Sequence, residues 1–352
     1  MKLKKVFKEP EDYNGVRYWN ANLIEFEGNE YIVSHKAILT LVTISMCNAA
    51  CKFCSNDITF TPNGKFLQHN EKLDRILKLA KLGGVKKIAF SGGEPTANPQ
   101  SLYNLCKTTI PMFEKSRIHT NGFGLLKKVD TGSGNQFLLD SLIELGLSGA
   151  SLSIAHHDDD INQEIMRFKG KWLGLNEDSI REIASRSSNT FSIRMSCVLT
   201  SKGIKSVEDI IAYVEWGRSL GVKKFIFRSP SWIPTEYAKE TAITRYNRVN
   251  HVDIDPITDE LDKRSDFKIM FSEHKTDSHV HVYKYDNEIT IDIDASSEEP
   301  DPDEKIRRLV VMPNEVLYKS WIDPLSNVFS DDRAVTLFSA NEELPNLTTV
   351  QV

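Results

Sequence analysis

From Ala37 to Arg228, short runs of β-branched and aromatic residues alternate with amphipathic stretches in units of about 30 residues. The run from Ala37 to Ile44 is apolar at nearly every position, the pattern of a strand buried on both faces. Residues 71–82 place Leu73, Ile76, Leu77 and Ala80 on one helical face, and Gly83-Gly84 supplies the stop. Further strands are predicted at 85–90, 116–120, 150–154, 191–199 and 224–228. Helices are predicted near 100–109, 136–146, 177–187 and 206–220. Repeated strand–helix units predict a parallel α/β sheet with right-handed crossovers, open or rolled. Six strands are too few for a complete eight-stranded barrel.

The flanks are less regular. Residues 1–37 hold strand-like pieces, such as Val16-Arg-Tyr-Trp and Tyr31-Ile-Val-Ser, and read as an N-terminal hairpin or cap. Residues 231–266 are polar and helical in part, and strand-like pieces follow at 276–285 and 288–294. Between 292 and 304, seven of thirteen residues are acidic, which predicts a solvated loop. Residues 307–313 and 316–321 read as a closing hairpin, and 340–352 as a tail. The expected division is therefore a cap (1–37), a main α/β unit (38–230), a C-terminal region (231–339) and a tail (340–352).

Charge narrows the partners. With 44 basic and 49 acidic residues among 352, the net charge is −5. Such a chain has no global electrostatic reason to coat nucleic acid or anionic lipid. No apolar run approaches the roughly 18 residues that span a bilayer. The basic N-terminus leads into an acidic, polar stretch rather than a signal-peptide core. The expectation is a cytoplasmic protein with no membrane or nucleic-acid partner.

The cysteines carry the candidate chemistry. There are five, at 47, 51, 54, 106 and 197, and three of them fall within eight residues. A secreted disulfide framework is usually even in number and spread along the chain, whereas clustered thiols in a reducing compartment read as metal ligands or redox groups. Cys47-Asn-Ala-Ala-Cys51-Lys-Phe-Cys54 offers three thiolates in a loop after a buried strand. Structural zinc and ordinary four-iron clusters each take four ligands, so three leave one corner open to a small molecule. His69 is the nearest downstream histidine able to complete a zinc set. One strand later comes Ser91-Gly-Gly-Glu94-Pro95. Paired glycines let a backbone approach a ligand, and Glu94 can accept from an ammonium. Alone the motif is a turn before a helix. Beside the thiolate loop, at the carboxyl ends of parallel strands, it is half of one site.

Cys-x3-Cys-x2-Cys, with Phe53 before the last cysteine, followed by Gly92-Gly93-Glu94-Pro95, resembles the signature of the radical S-adenosylmethionine superfamily. The resemblance covers residues 38–230. Thr120-Asn121-Gly122, Ala150-Ser-Leu-Ser-Ile and Ile193-Arg-Met-Ser-Cys-Val-Leu resemble the branch containing the cyclisation enzyme of molybdenum-cofactor biosynthesis. It implies a six-stranded partial (β/α)6 TIM-like barrel with a small α+β C-terminal extension. It further implies one [4Fe–4S] cluster on Cys47, Cys51 and Cys54, with S-adenosylmethionine chelating the open iron. Gly92, Gly93 and Glu94 would then hold the methionine amino group. Thr120, Asn121 and Ser153 would line the cavity beside Phe53, and Arg194 would meet the carboxylate. The implied reaction is reductive cleavage to a 5′-deoxyadenosyl radical that abstracts substrate hydrogen, with a flavodoxin or ferredoxin-type electron donor. Strand alternation that turns Arg194 inward also turns Ser192 and Ser196 inward, and Cys197 outward.

The chain departs from that branch in having no cysteine after Cys197. Neither a second cluster nor a cysteine-rich SPASM extension can be built from it. Cys106 falls mid-helix, where a free cysteine is packing. Substrate specificity must come from the C-terminal region. There His279, His281, Tyr283 and Tyr285 share one strand face, either solvated or lining a substrate wall in which Tyr283 or Tyr285 relays hydrogen. Arg228 ends the last strand and either meets an anionic substrate group or forms a structural ion pair. His156-His157-Asp158-Asp159-Asp160 is either a metal cluster or a polar loop with a helix N-cap. The leading expectation is a biosynthetic radical enzyme acting on a small nucleotide or sugar. The alternatives are a maturase of a ribosomally made peptide and a non-catalytic iron–sulfur or zinc-binding interaction protein.

Overall fold

The computed structural model describes residues 1–54, 65–230, 240–274, 278–296, 306–321 and 323–329. Five strands open the chain: β1 (Lys2–Phe7), β2 (Glu11–Tyr13), β3 (Val16–Tyr18), β4 (Ala21–Phe26) and β5 (Asn29–Val42). Asn14-Gly15 and Glu27-Gly28 join β2 to β3 and β4 to β5, all four residues at positive φ as two-residue hairpin turns require. β5 runs unbroken across residue 37. Its first half pairs antiparallel with β4, and Ile38–Val42 pairs in parallel with the strand that follows.

The regular part then proceeds through α1 (Glu71–Leu82), β6 (Lys87–Ser91), α2 (Pro99–Thr109), β7 (Lys115–Thr120), β8 (Lys128–Asp130), β9 (Asn135–Phe137), α3 (Leu138–Glu144) and β10 (Gly149–Ser153). α4 (Asp159–Met166), α5 (Glu177–Ala184), β11 (Ser192–Val198), α6 (Val207–Ser219) and β12 (Lys224–Arg228) complete it. α1 shows why the periodicity was readable. Asn70 caps it by accepting from Leu73 N at 3.0 Å, and Leu73, Ile76, Leu77, Leu79 and Ala80 are all buried. Burial of each large aliphatic side chain contributes roughly 1.5–3 kcal/mol.

The C-terminal region adds α7 (Ala242–Val249), α8 (Asp255–Leu261), β13 (Phe267–His274), β14 (Ser278–Tyr285), β15 (Ile289–Ser296), β16 (Ile306–Val311) and β17 (Leu317–Tyr318). The result is a mixed α/β fold in which one central sheet is flanked by helices. The six expected strands, β5, β6, β7, β10, β11 and β12, run parallel side by side. β15 joins β12 in parallel and β16 joins β5 in parallel, so the parallel run has eight strands rather than six. β14 and β13 extend it antiparallel to the edge. No pairing joins β15 to β16 among the described residues.

Alternation divides this sheet into two faces. Ile193, Met195, Cys197, Phe225, Phe227, Ile291 and Ile293 share one core with Tyr213 and Val214 of α6. The opposite, inner face carries Arg117 and His119 of β7, Ser151 and Ser153 of β10, Arg194 of β11, and Asp292 and Asp294 of β15. β15 corrects the expectation of a solvated loop from 292: its two aspartates are half-buried in a regular strand. Residues 297–304 of the acidic stretch, and the tail 340–352, lie outside the described residues. Among the described residues, no helix is long and apolar enough to cross a membrane.

Candidate active site

The three clustered cysteines lie in the loop leaving β5, and that loop is braced from one side by the end of α4 and the segment after it. Lys52 N donates to Ile165 O at 3.0 Å, Ala50 N to Arg167 O at 3.1 Å, and Lys169 N to Asn48 O at 2.8 Å. Cys47, Cys51 and Phe53 pack against a small apolar cluster containing Ala49, Met166 and Phe168. Ala49 N donates to Cys47 Sγ at 3.4 Å, and the Cys51 thiol lies 3.7 Å from Met166 Sδ. Desolvation pushes Cys47 up to about 11 and Cys51 higher still, and the neighbouring Cys54 adds to both. Three soft sulfur donors on one short loop in an apolar setting match the chemistry of an iron–sulfur ligand set. No three described side chains are already gathered at metal-binding geometry.

From the other side the loop is held by the Gly-Gly-Glu turn that follows β6. Gly93 N donates to Ile44 O at 2.7 Å and Glu94 N to Met46 O at 2.9 Å. A Cβ at Gly93 would sit 2.0 Å from Met46 O, and one at Gly92 2.5 Å from Ile44 O. The glycines are therefore required first by close approach of the cysteine loop's own backbone, whereas the sequence suggested approach of a ligand.

Glu94 is 1% exposed. Its Oε1 accepts from Thr96 N at 2.8 Å, Thr96 Oγ1 at 2.6 Å and Thr120 Oγ1 at 2.5 Å, and its Oε2 accepts from Asn121 N at 2.8 Å. Gly124 N and Gly122 N donate in turn to the Thr96 and Thr120 hydroxyls, each at 2.9 Å. Burial raises the Glu94 carboxyl above the usual range, and the hydrogen bonds from Thr120, Thr96 and Asn121 pull it back. Here the carboxylate is a clamp between the ends of β6 and β7, already engaged by its own chain. The expected acceptor for an ammonium keeps only the single-bonded Oε2 for that task.

Asn121 Nδ2 donates to Asn48 Oδ1 at 2.8 Å, which ties the turn after β7 to the residue following Cys47. Sequence reasoning singled out Asn121 and Thr120 but missed Asn48 and Thr96. Asn48 was hidden between two cysteines. Thr96 was legible as the residue that Glu94 caps at the start of a short 3₁₀ turn.

Ser153 is half-buried at the end of β10, in register with Ser196. Arg194 donates from Nε to Ser151 Oγ at 3.0 Å and lies 4.0 Å from Asp292. Desolvation, with Arg117 and Arg228 nearby, pulls the Arg194 guanidinium down to about 9 against the opposing pull of Asp292 and Asp294. Arg228 pairs with Asp294 at 3.2 Å, so the structural ion pair expected as one option is present.

Other expectations are corrected. Tyr283 and Tyr285 pair in register with Ile291 and Ile289, whose side chains belong to the core, and both tyrosines are buried there. Tyr283 OH donates to Asp262 Oδ1 at 2.9 Å. They thus face away from Asp292 and Asp294, and neither is placed to relay hydrogen on the inner face. His281 is buried too, so this strand face is not solvated. His69 pairs with Asp74 at 2.8 Å rather than joining the cysteines. Asp158 caps α4 by accepting from Asp160 N and Ile161 N, both at 3.0 Å, which is the helix-cap alternative.

A braced three-cysteine loop, a buried glutamate clamp and an asparagine tie meet at the carboxyl ends of β5, β6 and β7. Residues 41–195 match the Radical SAM superfamily. Among curated relatives, GTP 3′,8-cyclase of Staphylococcus epidermidis is 33% identical over 135 residues, 36% of this chain and 36% of the relative. Molybdenum cofactor biosynthesis protein 1 of Dictyostelium discoideum is 27% identical over 205 residues, 56% of this chain and 29% of the relative. The chain spans about a third of the length of these relatives. Among solved structures, Streptococcus suis SuiB bound to precursor peptide SuiA is 17% identical with a TM-score of 0.48, over 80% of this chain and 58% of that one.

Proposed function

We propose that the chain binds a [4Fe–4S] cluster through Cys47, Cys51 and Cys54 and binds S-adenosylmethionine beside it. The observation that carries this reading is the hydrogen-bonded network from Glu94 through Thr120 and Asn121 to Asn48, which fixes the cysteine loop against two strand ends. Held there by Cys47, Cys51 and Cys54 and by the residues around Glu94, the cluster and S-adenosylmethionine would together supply one-electron reductive chemistry leading to hydrogen abstraction from substrate. The chain's own part is to position and to exclude water. Phe53 and Phe168 wall the cysteine loop. Glu94 Oε2 and the strand-end Ser153 offer acceptors to an ammonium, and Arg194 offers a planar donor pair to a carboxylate.

For the substrate, the polar inner face with Arg117, His119, Arg194 and Asp292 supports a small polar molecule, as in the cyclisation branch suggested by sequence. A ribosomally made peptide has its own support. β13 is the sheet edge, and it exposes Ile269, Met270 and Phe271, a surface suited to an added strand.

The test is anaerobic reconstitution with iron and sulfide, followed by dithionite and S-adenosylmethionine. About four irons per chain and release of 5′-deoxyadenosine is the expected result. One tightly held zinc and no cleavage would replace this reading with a metal-binding interaction protein. Faster release on adding a nucleotide pool or a peptide library then separates the two substrate classes.

A further inference from the structure

The inner face holds more cation than its own acids neutralise. Asp294 is paired with Arg228 at 3.2 Å, and Asp292 stands 4.0 Å from Arg194. Among the described residues Arg117 is the one left without an ion pair, attracted by Asp292 only at longer range. Its Nη1 is buried and has no hydrogen-bond partner among the described residues. A half-buried guanidinium whose Nη1 is buried without a partner is destabilising, and a planar donor fork of this kind matches a carboxylate or a phosphate.

We propose, building on the radical SAM reading above, that Arg117, with His119 and Arg228 beside it, forms a subsite for an anionic group of the substrate, carboxylate or phosphate. His119 shares the inner face with Arg117 two residues earlier on β7, and it lies level with Ser151 and, one strand further, Arg194. Desolvation, together with Arg228, Arg194 and Arg117, pulls His119 down to about 3, so its imidazole is neutral and offers one donor and one acceptor. At about 3.3 Å of rise per residue, Arg117 lies roughly 10 Å deeper along β7 than Thr120. An anion held there leaves the rest of the substrate between it and the glutamate clamp, where the cosubstrate reading puts the reactive group.

The subsite is tested by isothermal titration of the full reconstituted chain with inorganic phosphate and, separately, with malonate. The expected result is one site per chain for at least one probe, weakened tenfold or more in Arg117→Gln and partly kept in Arg117→Lys. Saturating S-adenosylmethionine should leave the probe bound. Tighter phosphate assigns a phosphorylated substrate, and tighter malonate a carboxylate one. No heat from either probe at millimolar concentration overturns the proposal, as does wild-type affinity in Arg117→Gln. Displacement of the probe by S-adenosylmethionine also overturns it, because the guanidinium cluster would then be the cosubstrate's carboxylate pocket. Thermal melting guards against a folding artefact: Arg117→Gln, relieved of a buried unpaired charge, should melt no lower than wild type. Probe binding needs no turnover, so its failure is separable from a failure to cleave S-adenosylmethionine.

Discussion

Asn121 and Asn48 are joined side chain to side chain at 2.8 Å, and through this bond the turn after β7 holds the residue next to Cys47. The relationship predicts a loss of metal retention without a loss of fold. Asn121→Ala removes a bond of about 1 kcal/mol, and it frees a loop that must present three sulfurs together. Iron retained per chain after desalting should fall clearly, while the urea midpoint moves little. A double-mutant cycle with Asn48→Ala should show coupling of about 0.5 kcal/mol or more. Additive effects would mean that the two side chains do not act as a pair.

Gly93→Ala should be damaging at this turn. Its Cβ would meet Met46 O at 2.0 Å, a backbone atom that cannot rotate away. Overpacking of this kind costs about 1–3 kcal/mol. The expected readout is a lower urea midpoint together with poor iron uptake, since Met46 adjoins Cys47. A fully stable Gly93→Ala protein would show that the loop and turn are not pressed together.

Glu94→Ala strands four donors that now converge on one carboxylate. Each buried donor left unsatisfied costs about 1–3 kcal/mol, so this variant should be among the least stable in a chemical denaturation series. Glu94→Gln keeps one acceptor oxygen and should lose less. Equal stability of the two variants would remove the clamp from the account.

His119 carries a pH signature. Its folded pKa is depressed to about 3, against about 6.5 in an unfolded chain. Between these values the unfolded chain binds the proton and the folded chain does not, so stability is lost as pH falls through this window. The slope for one proton is about 1.4 kcal/mol per pH unit. His119→Asn should flatten the fall in urea-unfolding free energy between pH 6.5 and 4.5 by up to that slope. An unchanged slope would place the acid sensitivity elsewhere.

The strand–helix alternation from Ala37 to Arg228 was legible for physical reasons. Strands buried on both faces become continuous apolar runs, and each helix shows its buried stripe at a 3.6-residue period. β13 was missed because an edge strand need not alternate, and Phe267–His274 mixes exposed Ile269, Met270 and Phe271 with polar neighbours. β15 was legible as a strand to Asp294, but its last acids were also counted as composition into a solvated loop, when Asp292 and Asp294 alternate with buried Ile291 and Ile293. The metal and glutamate motifs were visible because their spacing is local. The Asn121–Asn48 tie spans 73 positions, and no local pattern announces it. Arg117 and His119 left one faint trace, two polar side chains alternating with buried neighbours inside a strand of the central sheet.

The most direct test of the central claim is electron paramagnetic resonance of the reconstituted, dithionite-reduced protein, recorded with and without S-adenosylmethionine. If Cys47, Cys51 and Cys54 hold a cluster with one open corner, the reduced signal should be present and should shift when S-adenosylmethionine is added. Cys51→Ala should lack the signal, and Cys106→Ala should keep it. A cluster signal indifferent to S-adenosylmethionine, or one that survives in Cys51→Ala, would contradict the account.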